Sequence, residues 1–159
     1  MRNTKTLQAV LSAVLIVVVA GGCQNDKKQM NKAEKSTTTS PSSEAELARQ
    51  INNLRTLGAA WHGYHNQHKK GPANWEELIV FSQNSSALTE LRDSGCVVTG
   101  WGLRFVDAKI GMANFVLAYS PEAKQNKGPV LLMDAFVREM SAAELQQALE
   151  AQQAAGVGN

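Results

Sequence analysis

One stretch decides the fold: residues 43–72, with the sequence SEAELARQINNLRTLGAAWHGYHNQHKKGP. Ser43 and Glu46 have the capping-box spacing that starts a helix. Gly71 and Pro72 predict a left-handed cap and a stop. At about 100° per residue, one side of this helix carries Leu47, Ile51, Leu54, Leu57, Gly58, Trp61, Tyr64, His65 and His68. The stretch therefore predicts a long amphipathic helix that covers one face of the elements after it.

The first 22 residues have the pattern of an export signal. Arg2 and Lys5 precede an apolar run at residues 9–22. A run of this length is short for a membrane-spanning helix, which usually needs about 20 apolar residues. A basic start followed by a short apolar run is typical of a cleaved signal peptide. We therefore assign residues 1–22 to a signal peptide.

Small residues stand directly before a cysteine at the end of this run, in the order Ala20-Gly21-Gly22-Cys23. This order resembles the lipobox of bacterial lipoproteins, in which the cysteine is lipidated and becomes the new N-terminus. The resemblance implies that acyl chains such as palmitate attach to Cys23 and hold the protein in a bilayer. The expected location is the cell envelope, on a bacterial membrane facing the periplasm or the exterior. The alternative is an uncleaved membrane anchor with an incidental cysteine.

The residues after Cys23 lack any apolar period, so residues 23–42 are predicted to form the lipidated cysteine and a flexible tether. Removing Arg2 and Lys5 from the 16 basic residues leaves 14, equal to the 14 acidic residues. The processed chain is therefore neutral, and it lacks the basic surface that a nucleic-acid partner requires.

The rest of the chain predicts two short helices, a sheet and a final helix. Asn74 and Glu77 form a second capping-box pattern before a helix near residues 75–82, and residues 87–93 predict one or two further turns. Apolar and β-branched runs then predict short strands at residues 96–99, 101–106, 113–120, 129–133 and 136–139. A polar loop at residues 121–128 separates the third strand from the fourth. Sequential short strands favour an antiparallel meander.

The last helix has the clearest start. Ser141 and Glu144 form a capping box, Met140 and Leu145 form a hydrophobic staple, and Gly156 ends the helix. The order of elements predicts an α+β domain at residues 43–155, in which a long N-terminal amphipathic helix packs on a small antiparallel sheet and a C-terminal helix follows. Residues 156–159 are predicted to be a disordered tail.

Three segments carry a resemblance to a known family: NLRTLGAAWHGYHNQH at residues 53–68, VLAY at 116–119 and VLLMDAFV at 130–137. In this order they resemble pilin-like proteins abundant in planctomycetes, which are related to the major pseudopilins of type II secretion. The resemblance covers roughly residues 47–149 and implies a pseudopilin-like fold.

Two features depart from that family. Its members begin with a prepilin leader and a transmembrane helix, whereas this chain has a lipobox and a tether, which argues against filament assembly. The closing turn of the family is centred on Asp-Gly-His, whereas this chain has Asp134-Ala135-Phe136. If that turn needs a positive φ, Ala135 costs on the order of 1 kcal/mol.

His62, His65 and His68 are the candidate metal ligands, because residues three apart on a helix are neighbours. Each step of three also drifts by about 60°, so the outer two converge poorly. No Glu or Cys nearby completes a ligand set. We therefore expect these histidines to pack along the edge of the helix, and we expect no cofactor.

Other reactive side chains also have structural interpretations. Asp134 is a candidate catalytic carboxylate, but an Asp at a hairpin corner more often binds its own backbone. Cys96 opens an apolar run and is expected to be a buried, inert thiol. The aromatic residues are expected in the core rather than on a ligand-stacking platform: Trp61, Tyr64, Trp75 and Trp101. The sequence therefore predicts no catalytic residue.

Three functions are compatible with these patterns. The first is an envelope lipoprotein whose non-enzymatic, pseudopilin-like domain is monomeric and contacts another, unidentified envelope protein. The second is a component of a type II secretion or pilus-like apparatus. The third is an exported metal-binding protein that uses the histidine cluster.

Overall fold

The computed structural model of the chain describes residues 41–83 and 85–156. That part of the chain has an α+β fold with four α-helices and a four-stranded antiparallel sheet. The helices are α1 (Pro41–His68), α2 (Trp75–Phe81), α3 (Ser86–Asp93) and α4 (Ala142–Ala154). The strands are β1 (Val97–Val98), β2 (Val116–Tyr119), β3 (Gly128–Leu132) and β4 (Val137–Met140). Short 3-10 helices lie at Phe105–Asp107, Met112–Asn114 and Pro121–Lys124.

Helix α1 begins at Pro41, two residues before the predicted start, so Ser43 lies in its first turn rather than at its N-cap. The carboxylate of Glu46 accepts a hydrogen bond of 2.8 Å from Arg49 on the exposed side. The predicted apolar side is confirmed from Leu54 to His65, where the buried residues are Leu54, Leu57, Gly58, Trp61, Tyr64 and His65, but it does not extend to His68, which is exposed.

The end of α1 differs from the prediction. Lys69, not Gly71, adopts the left-handed conformation, with φ of 62°, and its N–H donates to the His65 carbonyl at 2.7 Å. Gly71 has a different role, because a Cβ at that position would lie 2.5 Å from Cζ2 of Trp61. The chain therefore needs glycine at residue 71 for close packing on the indole ring.

Helices α2 and α3 pack beside α1. The Asn74 side chain accepts a hydrogen bond from the Glu77 N–H at 2.9 Å, as predicted for an N-cap. The Glu77 carboxylate does not close the capping box, because it accepts the N–H of Ala73 at 2.6 Å instead. On the inner side of α3, Leu88 and Leu91 are buried in the same core as the apolar side of α1.

The sheet has the strand order β1-β2-β3-β4, and every neighbouring pair is antiparallel, so the predicted meander is confirmed. The residues of β2 and β3 face two separate cores, and a register shift between Val116 and Ala118 leaves the consecutive Leu117 and Ala118 in the same one. Leu117, Ala118 and Leu131 join the core beneath α1, whereas Val116, Val130 and Leu132 join the core beneath α4. The two long helices therefore cover opposite faces of the sheet.

The predicted strand at residues 101–106 is wrong. This segment has no strand partner in the described structure, and it ends in the 3-10 helix Phe105–Asp107. Its backbone pairs with the connection between α1 and α2, because Gly102 N–H donates to Pro72 and Gly71 N–H donates to Leu103, at 2.7 and 2.6 Å. The other predicted strands are present with shifted ends, and the first residue of β3, Gly128, comes from the predicted loop.

The turn between β3 and β4 is a three-residue loop, residues 133–135, which is closed by Leu132 and Phe136. Ala135 N–H donates to the Leu132 carbonyl at 3.0 Å, and Leu132 N–H donates to the Phe136 carbonyl at 2.8 Å. Ala135 has φ of 69°, so the conditional prediction of a positive φ is met. Glycine usually occupies this left-handed position of a three-residue hairpin loop.

Helix α4 begins as predicted. The Ser141 hydroxyl accepts the Glu144 N–H at 3.3 Å, and the Glu144 carboxylate accepts the Ser141 N–H at 2.7 Å. Met140 and Leu145 are both buried in the core beneath α4, as the hydrophobic staple requires. Gly156 follows the helix with φ of 72°. The remainder of the predicted tail, residues 157–159, lies outside the described residues.

We predict that Ala135→Gly stabilises the protein by up to about 1 kcal/mol, because glycine removes the Cβ penalty at positive φ. Urea unfolding monitored by tryptophan fluorescence measures the change. Ala59→Gly is the matched control, since Ala59 is exposed in the middle of α1 and the same substitution there should cost about 1 kcal/mol. A loss of stability in Ala135→Gly comparable to that of Ala59→Gly would contradict the strain at the turn.

Candidate functional site

The candidate lipid-attachment residue lies outside the described residues. This applies to Cys23, to the predicted signal peptide at residues 1–22 and to the predicted tether as far as residue 40. Within residues 41–83 and 85–156, no helix combines the length and the apolar character needed to cross a bilayer. The described candidates are therefore the histidine row on α1 and the groups around it.

His62 joins α1 to the β3–β4 turn. Its Nε2 lies 2.7 Å from the carbonyl oxygen of Met133, so the ring donates this hydrogen bond from a protonated Nε2. The ring also packs against Phe105, with 5.0 Å between the ring centroids. Nε2, one of the two ring nitrogens that can bind a metal ion, is therefore held by a backbone carbonyl.

His65 binds a hydrogen-bond donor, whereas His62 binds an acceptor. Its Nε2 accepts the backbone N–H of Phe105 at 3.3 Å, which requires this nitrogen to be unprotonated. The ring stacks on Trp61 and Phe105, with centroid distances of 5.5 and 3.8 Å, and the residue is 8% exposed. Burial lowers the pKa of His65, with smaller contributions from the charges of His62 and Lys69. The geometry and the pKa both favour a neutral ring.

His68 lies in a third environment. It is exposed and stacks on the ring of Tyr64, with 4.2 Å between centroids. The three histidines therefore serve three different contacts rather than one centre. In the described parts of the chain, no group of three or more His, Cys, Asp or Glu side chains is arranged to hold a metal ion.

The remaining sequence candidates also have structural roles. The Asp134 carboxylate accepts the N–H of Phe136 at 3.1 Å and thereby closes the β3–β4 turn on its own backbone. Cys96 is buried, as predicted, and burial raises the pKa of its thiol to about 12. A thiol with such a pKa is a poor source of the nucleophilic thiolate at neutral pH.

The expected core aromatic residues divide into two pairs. Trp61 and Tyr64 are buried, which confirms the prediction for both. Trp75 and Trp101 are half-buried and pack edge to face, with 5.3 Å between centroids. All four rings belong to the core beneath α1 or pack against it. They therefore contribute to packing.

One polar contact was not predicted from the sequence. The Tyr64 hydroxyl donates a hydrogen bond to the Glu77 carboxylate, which also accepts the Ala73 N–H. The hydrogen bond from Tyr64 is the main reason that the pKa of Glu77 is lowered, and the same bond raises the pKa of Tyr64. The signal available in the sequence was the capping-box glutamate, which here binds a side chain of α1 as well.

A groove that lies between β4 and α4 was also not predicted from the sequence. It has a volume of about 480 Å³, within the range of about 300–1,000 Å³ typical of ligand sites. Its lining mixes charged, amide and apolar side chains: Ile110, Asn114, Arg138, Glu139, Met140, Glu144, Gln147, Ala148 and Ala151. The sequence predicted a strand at residues 136–139, but the position of α4 beside it depends on tertiary packing. We call this surface the β4–α4 groove.

Comparison with known proteins adds no relative. Scans against protein-family models, curated proteins and solved structures each find no match to this chain.

We predict that stability falls with acidification because of His65. Its pKa is lower in the folded chain, so unfolding takes up a proton below the ordinary histidine pKa of about 6.5. The contribution of His65 to the free energy of unfolding should therefore be complete above this pH and should decrease as the pH drops towards the folded-state pKa. Urea unfolding between about pH 7.5 and pH 5 measures the slope.

In the His65→Gln variant the amide oxygen can still accept the Phe105 N–H, but the side chain does not titrate. We expect the part of the slope due to His65 to disappear in this variant and to persist in His68→Ala, which changes an exposed ring. Equal slopes in the wild type and in His65→Gln would contradict the assignment.

Proposed function

We propose that this protein is a membrane-anchored envelope lipoprotein whose pseudopilin-like domain binds other proteins and catalyses no reaction. One observation supports the anchoring: the apolar run at residues 9–22 ends in Ala20-Gly21-Gly22, directly before Cys23. Diacylation or triacylation at Cys23 supplies more than one acyl chain, and stable membrane anchoring requires two such signals. The domain then lies on a bacterial membrane, facing the periplasm or the exterior.

The contacts of the polar side chains support a binding role over a catalytic one. His62 and His65 hold backbone groups of two different loops, and Asp134 closes a turn. A general acid or base must reach the reacting group of a substrate. The two histidines instead hold loops against α1, and Asp134 holds the backbone of its own turn.

The order of elements supports the pseudopilin-like part of the proposal. A long helix comes first and packs one side on an antiparallel meander, and a short Asp-centred turn joins the last two strands. The start of α1 supports a tethered domain over a filament subunit. Its exposed residues there are small, acidic or basic: Ser43, Glu44, Ala45, Glu46, Ala48 and Arg49.

Anchoring is tested by labelling growing cells of a bacterial host with an alkyne fatty acid. Cys23→Ala should abolish the label and leave unprocessed precursor, because the modified cysteine is also the first residue after cleavage. Cys96→Ala is the matched control and should keep the label, since this cysteine is buried in the domain. Labelling of Cys23→Ala at the wild-type level would reject the lipobox.

A further inference from the structure

The β4–α4 groove lies beside an unpaired edge of the sheet. Strand β4 is last in the strand order and pairs on one side with β3, where Arg138 lies opposite Val130. The Phe136 carbonyl accepts from β3, so alternation along an antiparallel strand turns the backbone groups of Val137 and Glu139 outward. Within the described residues, these outward groups make no backbone hydrogen bond. Such an edge can pair with another strand.

The charges in the groove are unevenly satisfied. Glu139 forms an ion pair with Lys127, and Glu144 accepts two hydrogen bonds from Ser141, of 2.7 and 2.8 Å. These bonds lower the pKa of Glu144, and the charge of Arg138 contributes less. The Arg138 guanidinium has neither a hydrogen bond nor an ion pair in the part of the chain that the structure describes. It is therefore the charge in the groove that is available to an incoming group, and it favours a carboxylate.

Strand β4 of a second copy of this chain would present no carboxylate to Arg138. Two β4 strands related by a two-fold axis pair antiparallel, and residues directly opposite share a face of the sheet. The alternation of faces then prevents Glu139 of one copy from lying opposite Arg138 of the other, and a register centred on either residue sets like charges opposite each other. Like charges directly opposite are destabilising. The edge therefore favours a different chain.

The apolar part of the groove suits the side chains of an extended segment. Ala148 and Ala151 are small residues on α4, and Met140 and Ile110 add apolar surface nearby. In strand addition, backbone hydrogen bonds provide affinity, and pockets for alternate side chains provide specificity. The groove offers both backbone hydrogen-bonding groups and apolar surface for side chains along β4.

We propose that the β4–α4 groove binds an extended segment of another protein, which adds to the sheet as a fifth strand and sets an Asp or Glu carboxylate against Arg138. This inference rests on the proposed function in one respect, namely that the domain acts by contacting proteins. It adds the surface, the mode of binding and the chemistry of the partner.

The test pans a display library of random twelve-residue peptides against the full lipidated chain in detergent micelles. We expect the enriched peptides to be rich in β-branched residues and to contain Asp or Glu. Arg138→Glu should weaken the best peptide at least tenfold, whereas replacing its acidic residue by Lys should restore binding to that variant. Arg55→Glu is the matched control, since Arg55 is exposed on α1, and it should leave binding unchanged.

A second pair of variants tests the strand edge itself. Glu139→Pro removes the outward N–H without removing a hydrogen bond to β3, and it should abolish binding. Glu139→Gln keeps the N–H and should retain binding. Circular dichroism confirms that both variants fold.

Two results would overturn the proposal: enrichment of no peptide, or binding that both Arg138→Glu and Glu139→Pro leave intact. Photo-cross-linkers placed at Gln147 in the groove and at Arg55 outside it separate this failure from failure of the proposed function. Cross-links to proteins in cells from position 55 but not from position 147 would reject the groove and retain a protein-binding domain. Cross-links from neither position would count against both.

Discussion

The fold depends on the burial of one indole ring. Trp61 is 0% exposed, and its N–H donates to the carbonyl of Gly100 at 3.2 Å. Gly71 and Gly100 leave the space around the ring, because a Cβ at either position would collide with Trp61 or with its neighbour Leu117. Burying an aromatic side chain removes a large apolar surface from water, and the hydrogen bond satisfies its only polar group. The end of α1, its connection to α2 and the segment after β1 all meet at this ring.

This packing explains what the histidines do. His65 stacks on Trp61 and accepts the N–H of Phe105, and His62 packs on the same phenylalanine and donates to the β3–β4 turn. Each ring therefore connects α1 to a loop that lacks regular pairing at that point. Nε2 of each ring already has a backbone partner, so a metal ion could not bind that nitrogen without displacing it, and spacing along a helix alone is a weak indicator of a metal site.

Local patterns predicted the elements that local physics controls. The capping box at Ser141 and Glu144 and the N-cap at Asn74 form as their spacing indicates, because their partners are three residues away. The apolar run at residues 101–106 predicted a strand, and in the structure its alternate residues Trp101, Leu103 and Phe105 are half-buried and pack on the core. It did not identify the partner of the backbone, which is the connection after α1 rather than a strand. Alternation reports which side of an extended segment is buried and says nothing of what its N–H groups bind.

Tertiary packing decided the remaining features. Gly71 has the sequence signature of a helix cap, but its role is set by the indole ring ten residues earlier, and Lys69 takes the left-handed position instead. The β4–α4 groove could not be predicted because it depends on where α4 lies across the sheet. The helix lies on the face opposite α1, so the groove and the histidine row belong to different sides of the sheet.

The most direct test of this account is native-state hydrogen exchange of the Gly102 amide in the full chain. This N–H donates to Pro72 at 2.7 Å and belongs to the segment packed around Trp61. If that packing holds the fold together, the amide should exchange only through global unfolding, with an opening free energy within about 0.5 kcal/mol of that from denaturant unfolding. Exchange through a local opening several kcal/mol below the global value would contradict the account, because the segment could then leave Trp61 while the rest stays folded.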